Sequence, residues 1–181
     1  MFLGFGYFEG VKDWIALRPK QWNLMISPSW TRLLAAVAHL AHQADLIVLD
    51  CGRRFDASLV ARAARGRQEV IDRIKVQRAF TCYETAKLIE RLPVGRTPIL
   101  ILDFLSTFHD ENVKTQSRAF LLETSIRNFQ RLSCGMGLAV SVNFPPVSPD
   151  SIYLFERLQN AAPHVSSYEP VETMPLQLRI F

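Results

Sequence analysis

Short aliphatic runs, each bounded by turn residues, recur along the chain and predict strands. An uninterrupted apolar run of this length is typical of a parallel strand that is buried on both faces of its sheet. Runs of this kind are Trp22–Ile26, Leu46–Asp50, Pro98–Asp103 and Leu138–Asn143. Two other segments alternate apolar and polar residues, as half-exposed strands do, and these are Ile71–Val76 and Leu176–Phe181.

Helical periodicity fills most of the intervals between these runs. The predicted helices are Trp30–Gln43 with Ser29 as its N-cap, a segment near Ala57–Gly66, Thr81–Leu92 and Lys114–Ser133. The apolar positions that recur in the last helix are Phe120, Leu121, Ile126, Phe129 and Leu132. We expect loops over Phe104–Val113, where His109 lies in a solvated polar group, and over Phe144–Pro149. Because strands alternate with helices, we predict an α/β fold with a doubly wound, mostly parallel sheet and helices on both faces.

The length of 181 residues indicates one domain over 1–181, with its core from about residue 21 and an N-terminal extension over 1–20. No apolar run approaches the roughly 20 residues of a bilayer-spanning helix, and the N-terminus lacks the basic region of a signal peptide. The three cysteines are widely spaced and favour no disulfide framework. We therefore expect a cytoplasmic protein, or a nuclear one in a eukaryote, without a membrane partner.

The net charge of +4 is unevenly distributed along the chain. Residues 51–96 hold eleven bases and five acids, so this segment carries more positive charge than the whole protein. A basic segment permits an anionic partner such as a nucleic acid. The alternative interpretation is a solvated helix face that binds no ligand.

Two of the predicted strands end in an acid, at Asp50 and at Asp103. Open α/β sheets bind their ligands at the carboxyl ends of the strands, and in nucleotide-hydrolysing folds an aspartate there holds Mg²⁺. The phosphate-binding pattern Gly-x-x-x-x-Gly-Lys-Ser/Thr, however, occurs nowhere in the sequence. The pattern of strands thus indicates a nucleotide-binding architecture that lacks its phosphate cradle.

Several segments together resemble the core of the RecA/RadA-type recombinase superfamily, over about residues 21–143. Arg78-Ala79-Phe80-Thr81, within Ile71–Tyr83, is similar to the family's Arg-Ala-Phe-Asn/Thr segment, and Leu49–Asp56 is similar to its Asp-Thr-Glu-Gly-x-Phe element. Ile99–Asp103 resembles the family's Walker B strand, and Gly137–Asn143 resembles the strand before its second DNA-binding loop. The order and spacing of these segments match the family. The resemblance implies a RecA-like version of the fold.

The departures from the family lie in the nucleotide site. Where the family has its glycine-rich loop, this chain has Ser27–Arg32, in which Pro28 lacks an N–H and Trp30 adds bulk. By register with Phe55, Gly52 takes the place of the glutamate that activates water. The residues left for a degenerate nucleotide site are Ser29, Thr31, Arg32, Asp50 and Asp103. The plain alternative is an ordinary turn between strand and helix.

The resemblance implies a pseudo-ATPase, not an enzyme, that serves as an accessory in DNA repair or recombination. We expect neither bound ATP nor a metal cofactor, with Asp103 as the ligand if Mg²⁺ is retained. The loops that face DNA in the family correspond to Thr107–Arg118 and Phe144–Ser148. The candidate DNA-contacting residues are Arg53, Arg54, Lys114 and Arg118.

Two other interpretations stay open. In the first, the domain is an interaction module that binds a RecA-like homologue or another repair protein and does not bind DNA. An exposed Pro145–Pro146 loop would suit contact with such a partner. Alternatively, it is an ATPase that binds nucleotide without a P-loop.

Overall fold

The computed structural model describes residues 17, 20–135, 137–145 and 147–168. They form one six-stranded sheet in the order β3-β2-β4-β5-β1-β6, in which every pair of neighbouring strands is parallel. The strands are β1 (Trp22–Ile26), β2 (Leu46–Asp50), β3 (Ile74–Arg78), β4 (Ile99–Leu102), β5 (Leu138–Val142) and β6 (His164–Ser167).

Helices connect the strands and cover both faces of the sheet. They are α1 (Trp30–Gln43), α2 (Ala57–Ala63), α3 (Gln68–Ile71), α4 (Cys82–Arg91), α5 (Thr115–Ser133) and α6 (Pro149–Ala161), with a 3-10 helix over Phe104–Phe108. Apolar side chains of α1, α2 and α3 pack in one hydrophobic cluster on the sheet, and those of α4, α5, α6 and the 3-10 helix pack in the other. The prediction of an α/β fold with a parallel sheet and helices on both faces is confirmed.

The four apolar runs form the four central strands, which are almost wholly buried. The half-exposed strand predicted over Ile71–Val76 lies further along the chain, because β3 pairs in register with β2 from Leu46–Ile74 to Asp50–Arg78. Ile71 instead ends α3. The partner strand therefore sets the start of β3, and the alternation of residue types alone misplaces it.

An aromatic cluster anchors the face that carries α5. The Phe129 ring lies 5.2 Å from that of Trp22 and 5.1 Å from that of Phe104, which lies 4.9 Å from Phe108. The expectation of a plain loop after β4 is wrong, because Phe104 and Phe108 are buried and form opposite ends of the 3-10 helix. Phe120, one of the apolar positions that recur along α5, is 65% exposed and does not join the core.

Two elements near the end of the described chain were not predicted. The helix α6 begins at Pro149, which was expected in a loop, because proline fits the first helical turn and the Ser148 hydroxyl accepts a hydrogen bond from the Ser151 N–H. The edge strand β6 is mostly polar and exposed, so it has no apolar signature. The strand predicted over Leu176–Phe181 lies outside the described residues.

The aromatic cluster should dominate the stability of this face. We expect Phe129→Ala to lower the free energy of unfolding by about 3–5 kcal/mol, because it leaves a cavity between two buried rings. Phe120→Ala is the matched control and should change it by less than about 0.5 kcal/mol, because that ring is exposed. Urea unfolding followed by circular dichroism measures both, and similar losses in the two variants would contradict this account of the core.

Candidate functional site

The topology leaves a crevice between the carboxyl ends of β2 and β4. These strands are neighbours, but the connection after β2 covers one face of the sheet and the connection after β4 covers the other. Loops that diverge in this way form the usual ligand crevice of open α/β sheets. Asp50 ends β2 and Asp103 follows β4, so the sequence correctly brings both acids to this edge.

The Asp50 carboxylate is used entirely by the fold. Asp50 is fully buried and accepts hydrogen bonds from the N–H groups of Arg54, at 3.2 Å, and Phe55, at 3.1 Å. The Nε of Arg78 lies 3.4 Å from the same carboxylate and balances its charge. Asp50 therefore shapes the loop after β2 and ties it to the end of β3, which leaves it no free oxygen for a ligand.

Asp103 is held in an uncommon backbone conformation. Its φ of 50° and ψ of 52° lie in the left-handed region, which few residues other than glycine adopt. The Asp103 N–H donates to the Ser141 hydroxyl at 2.9 Å, and one carboxylate oxygen accepts from the Asn143 N–H at 3.4 Å. Burial raises the pKa of the Asp103 carboxyl, and the hydrogen bonds from Asn143 oppose that rise.

Gly52 lies directly against the Asp103 side chain. A Cβ atom on Gly52 would come within 2.7 Å of an Asp103 carboxylate oxygen and 2.8 Å of the Asp103 Cβ. Because real Cβ contacts are not this short, no side chain fits at position 52 while Asp103 keeps its place. The crevice thus holds one partly buried acid where the resemblance expects an acid and a glutamate.

His109 ends the 3-10 helix that follows Asp103 and lies near enough to feel the charge of that side chain, where the sequence predicts a solvated loop. Its ring is half-buried, and Nδ1 lies 3.1 Å from the Ser151 hydroxyl. Burial lowers the pKa of His109, while the nearby charge of Asp103 acts to raise it and that of Arg118 acts to lower it. The imidazole is therefore biased toward its neutral form.

The turn after β1 has only three residues, Ser27, Pro28 and Ser29. The Ser29 hydroxyl lies 3.2 Å from that of Thr31 and does not cap α1, although Ser29 holds the N-cap position. Thr31 and Arg32 are exposed, and among the described residues no hydrogen bond or ion pair joins either to the two aspartates. The Arg54 guanidinium stacks on the Trp30 ring at 4.7 Å and links this turn to the loop after β2.

The four candidate DNA-contacting residues differ in exposure. Arg53, Arg54 and Lys114 are exposed near the carboxyl edge. Arg118 is only 3% exposed, and its guanidinium donates to Asp150 at 2.7 Å and to the Phe108 carbonyl at 3.1 Å. Its charge is therefore neutralised by Asp150 inside the fold, so Arg118 is not available to contact a nucleic acid.

Comparison with family models and with curated protein sequences identifies no family for this chain, because no family model and no curated protein sequence matches it.

Within the described ranges, no group of three or more His, Cys, Asp or Glu side chains is placed to hold a metal ion. Among the helices described, none combines the length and the apolar character needed to cross a membrane.

The contact between Gly52 and Asp103 can be tested by stability. We expect Gly52→Ala to lower the free energy of unfolding by about 1–3 kcal/mol, because the new methyl overlaps the Asp103 side chain. Gly95→Ala is the matched control, since nothing lies within 4 Å of its Cβ position. In an Asp103→Gly background the cost of Gly52→Ala should fall, and an undiminished cost in urea unfolding would contradict the contact.

His109 predicts a pH dependence of stability. Because its pKa in the folded protein lies below the ordinary value of 6.5, the unfolded chain takes up the proton first as the pH falls. The contribution of His109 is therefore complete above that value and is lost below it. His109→Asn keeps a polar partner for Ser151 and should flatten the loss of stability on acidification through that range. Urea midpoints across the range measure this, and equal slopes in the two proteins would refute it.

Proposed function

We propose that this chain is a RecA-fold pseudo-ATPase that serves as an accessory in DNA repair or recombination. The observation that carries this proposal is the packing of Gly52 against Asp103, which leaves no room for a carboxylate that activates water. Such a protein would act where DNA is, in the cytoplasm or, in a eukaryote, the nucleus.

Two arrangements support the RecA-like version of the fold. The segments that resemble the family form adjacent strands, with β5 between β1 and β4. Asp103 after β4 and Asn143 after β5 are then joined by a hydrogen bond at the edge where ligands bind. These arrangements favour the family interpretation over an unrelated parallel α/β fold.

The loss of hydrolysis follows from three missing parts. The base at position 52 is absent, and loss of a general base alone costs about 10²–10⁴ in rate. The turn after β1 has no glycine and contains Pro28, so it offers few backbone N–H groups to phosphates. Asp50 is committed to Arg78 and to the backbone of its own loop. Phosphoryl transfer depends on positioning, which this edge no longer supplies.

A second candidate function is a protein-interaction module that does not bind DNA. The loop after β5 and the start of α6 expose apolar side chains, with Phe144 at 57%, Val147 at 99% and Tyr153 at 43%. Exposed apolar side chains grouped in one region favour a protein partner, such as a RecA-like homologue or another repair protein.

Phosphate release tests the proposal. We expect no Mg²⁺-dependent ATP hydrolysis by the protein, with or without single-stranded DNA, and the same background rate in Asp103→Ala. Turnover that disappears in Asp103→Ala would defeat the proposal. Calorimetry with ATP and ADP is the companion measurement, and a micromolar, Mg²⁺-dependent affinity would favour the alternative of an ATPase that binds nucleotide without a P-loop.

A further inference from the structure

A basic groove lies at the β3 edge of the sheet, away from the loops that face DNA in the resembling family. It has a volume of about 320 Å³ and is open to solvent between the end of β3 and α4. Its lining consists of Arg78, Phe80, Glu84, Lys87, Leu88 and Arg91. Three of these six side chains are cationic and one is acidic.

Two of the cations have no partner in the fold. Lys87 and Arg91 are exposed, and neither makes a salt bridge or a hydrogen bond through its side chain with any described residue. They lie four residues apart on α4, so they project from the same side of that helix. Arg78 is also exposed over half its side chain, although it is paired with Asp50. The Glu84 carboxylate accepts a hydrogen bond from the Phe80 N–H at 2.8 Å and thereby holds the backbone of Phe80 at the start of α4.

Aromatic rings accompany these charges. Phe80 is 62% exposed at the groove, and Tyr83, one helical turn before Lys87, is 53% exposed. Tyr83, Lys87 and Arg91 follow one another at intervals of four residues and form a single stripe on α4. Neighbouring aromatic and cationic side chains of this kind bind single-stranded nucleic acids, in which bases stack on the rings and phosphates meet the cations.

We propose that this β3–α4 groove binds single-stranded nucleic acid, with Lys87 and Arg91 on the phosphates and Phe80 as a stacking platform for a base. The inference deepens the proposed function and rests on its choice of a nucleic-acid partner. It moves the contact from the crevice loops to the edge of the sheet.

An acidic peptide that pairs with the edge strand is the competing occupant, and two observations disfavour it. β3 carries Lys75 and Arg78, and charged side chains on an edge strand hinder the addition of another strand. Salt bridges to a carboxylate would also leave the exposed rings of Phe80 and Tyr83 without a role.

The test is fluorescence anisotropy with labelled oligothymidylate and oligouridylate of about 20 nucleotides, a length that exceeds one binding site. We expect binding at about 50 mM salt that weakens steeply by about 200 mM. Lys87→Ala with Arg91→Ala should reduce the log–log salt slope by about 1.4, because each phosphate contact contributes about 0.7 on a single strand. Phe80→Ala should weaken binding at least about fivefold through lost stacking. The DNA and RNA arms distinguish the two sources of the same chemistry.

Three further variants distinguish binding in the groove from nonspecific attraction to positive charge or to exposed aromatic rings elsewhere on the protein. Glu84→Gln keeps an acceptor for the Phe80 N–H and removes the negative charge, so binding should tighten about threefold at low salt. Arg62→Ala removes an exposed base on α2, on the opposite face of the sheet, and should leave affinity nearly unchanged. Phe120→Ala removes an aromatic ring of similar exposure to Phe80 and is the matched stacking control.

Several outcomes would overturn the inference. If the oligonucleotides bind but the groove variants bind normally, or if Arg62→Ala weakens binding equally, the groove is wrong while the proposed accessory function stands. If neither oligonucleotide binds at low salt, both the groove proposal and the proposed DNA-repair function lose their nucleic-acid partner. Binding of polyglutamate in the same assay would identify an acidic peptide as the occupant of the groove. Asp103-dependent ATP hydrolysis would instead defeat the pseudo-ATPase proposal and leave the groove intact. Thermal unfolding of each variant confirms that it is folded.

Discussion

The conformation of Asp103 constrains the whole carboxyl edge of the sheet. Its left-handed backbone is an uncommon state, and two hydrogen bonds to the strand and loop of β5 hold it there. Ser141 provides the first of these bonds from inside the core, where it also donates to the Ile101 carbonyl. Because β4 and β5 are coupled in this way, the Asp103 carboxylate lies against Gly52, and position 52 has to be glycine.

This constraint decides what chemistry the crevice can perform. A nucleotide-hydrolysing edge needs free carboxylate oxygens for Mg²⁺ and a base for water. Here the oxygens of Asp50 face backbone N–H groups and Arg78, while Asp103 is partly buried, which disfavours its charged form. His109, biased toward its neutral form, bonds to Ser151. The hydrogen bonds of these three side chains are therefore made to other residues of the fold, which stabilises this edge of the sheet.

The sequence predicts those elements whose burial is visible as a local pattern, either an uninterrupted apolar run or apolar residues at helical spacing. β1, β2, β4 and β5 are uninterrupted apolar runs, and α1 matches its predicted bounds because its apolar residues recur over its full length. α6 and β6 were missed because a proline-rich start and a mostly polar edge strand carry no such pattern. Arg118 was misassigned because its burial depends on Asp150, which belongs to the unpredicted helix. Contacts between distant segments set β6 and the burial of Arg118, and a single sequence does not record them.

The same distinction applies to charge. The sequence shows that residues 51–96 are basic, but it does not show which of these basic side chains are engaged in hydrogen bonds or ion pairs within the fold. Within this segment Arg73 donates to carbonyls at the end of α1 and Arg78 neutralises Asp50, and outside it Arg131 donates to the last carbonyls of α4. A guanidinium satisfied in this way exchanges little with a phosphate, because an incoming ligand has to replace bonds that already exist. Lys87 and Arg91 lack such partners among the described residues, so the β3 edge keeps positive charge for a ligand, in addition to that of the exposed Arg53 and Lys114 near the crevice.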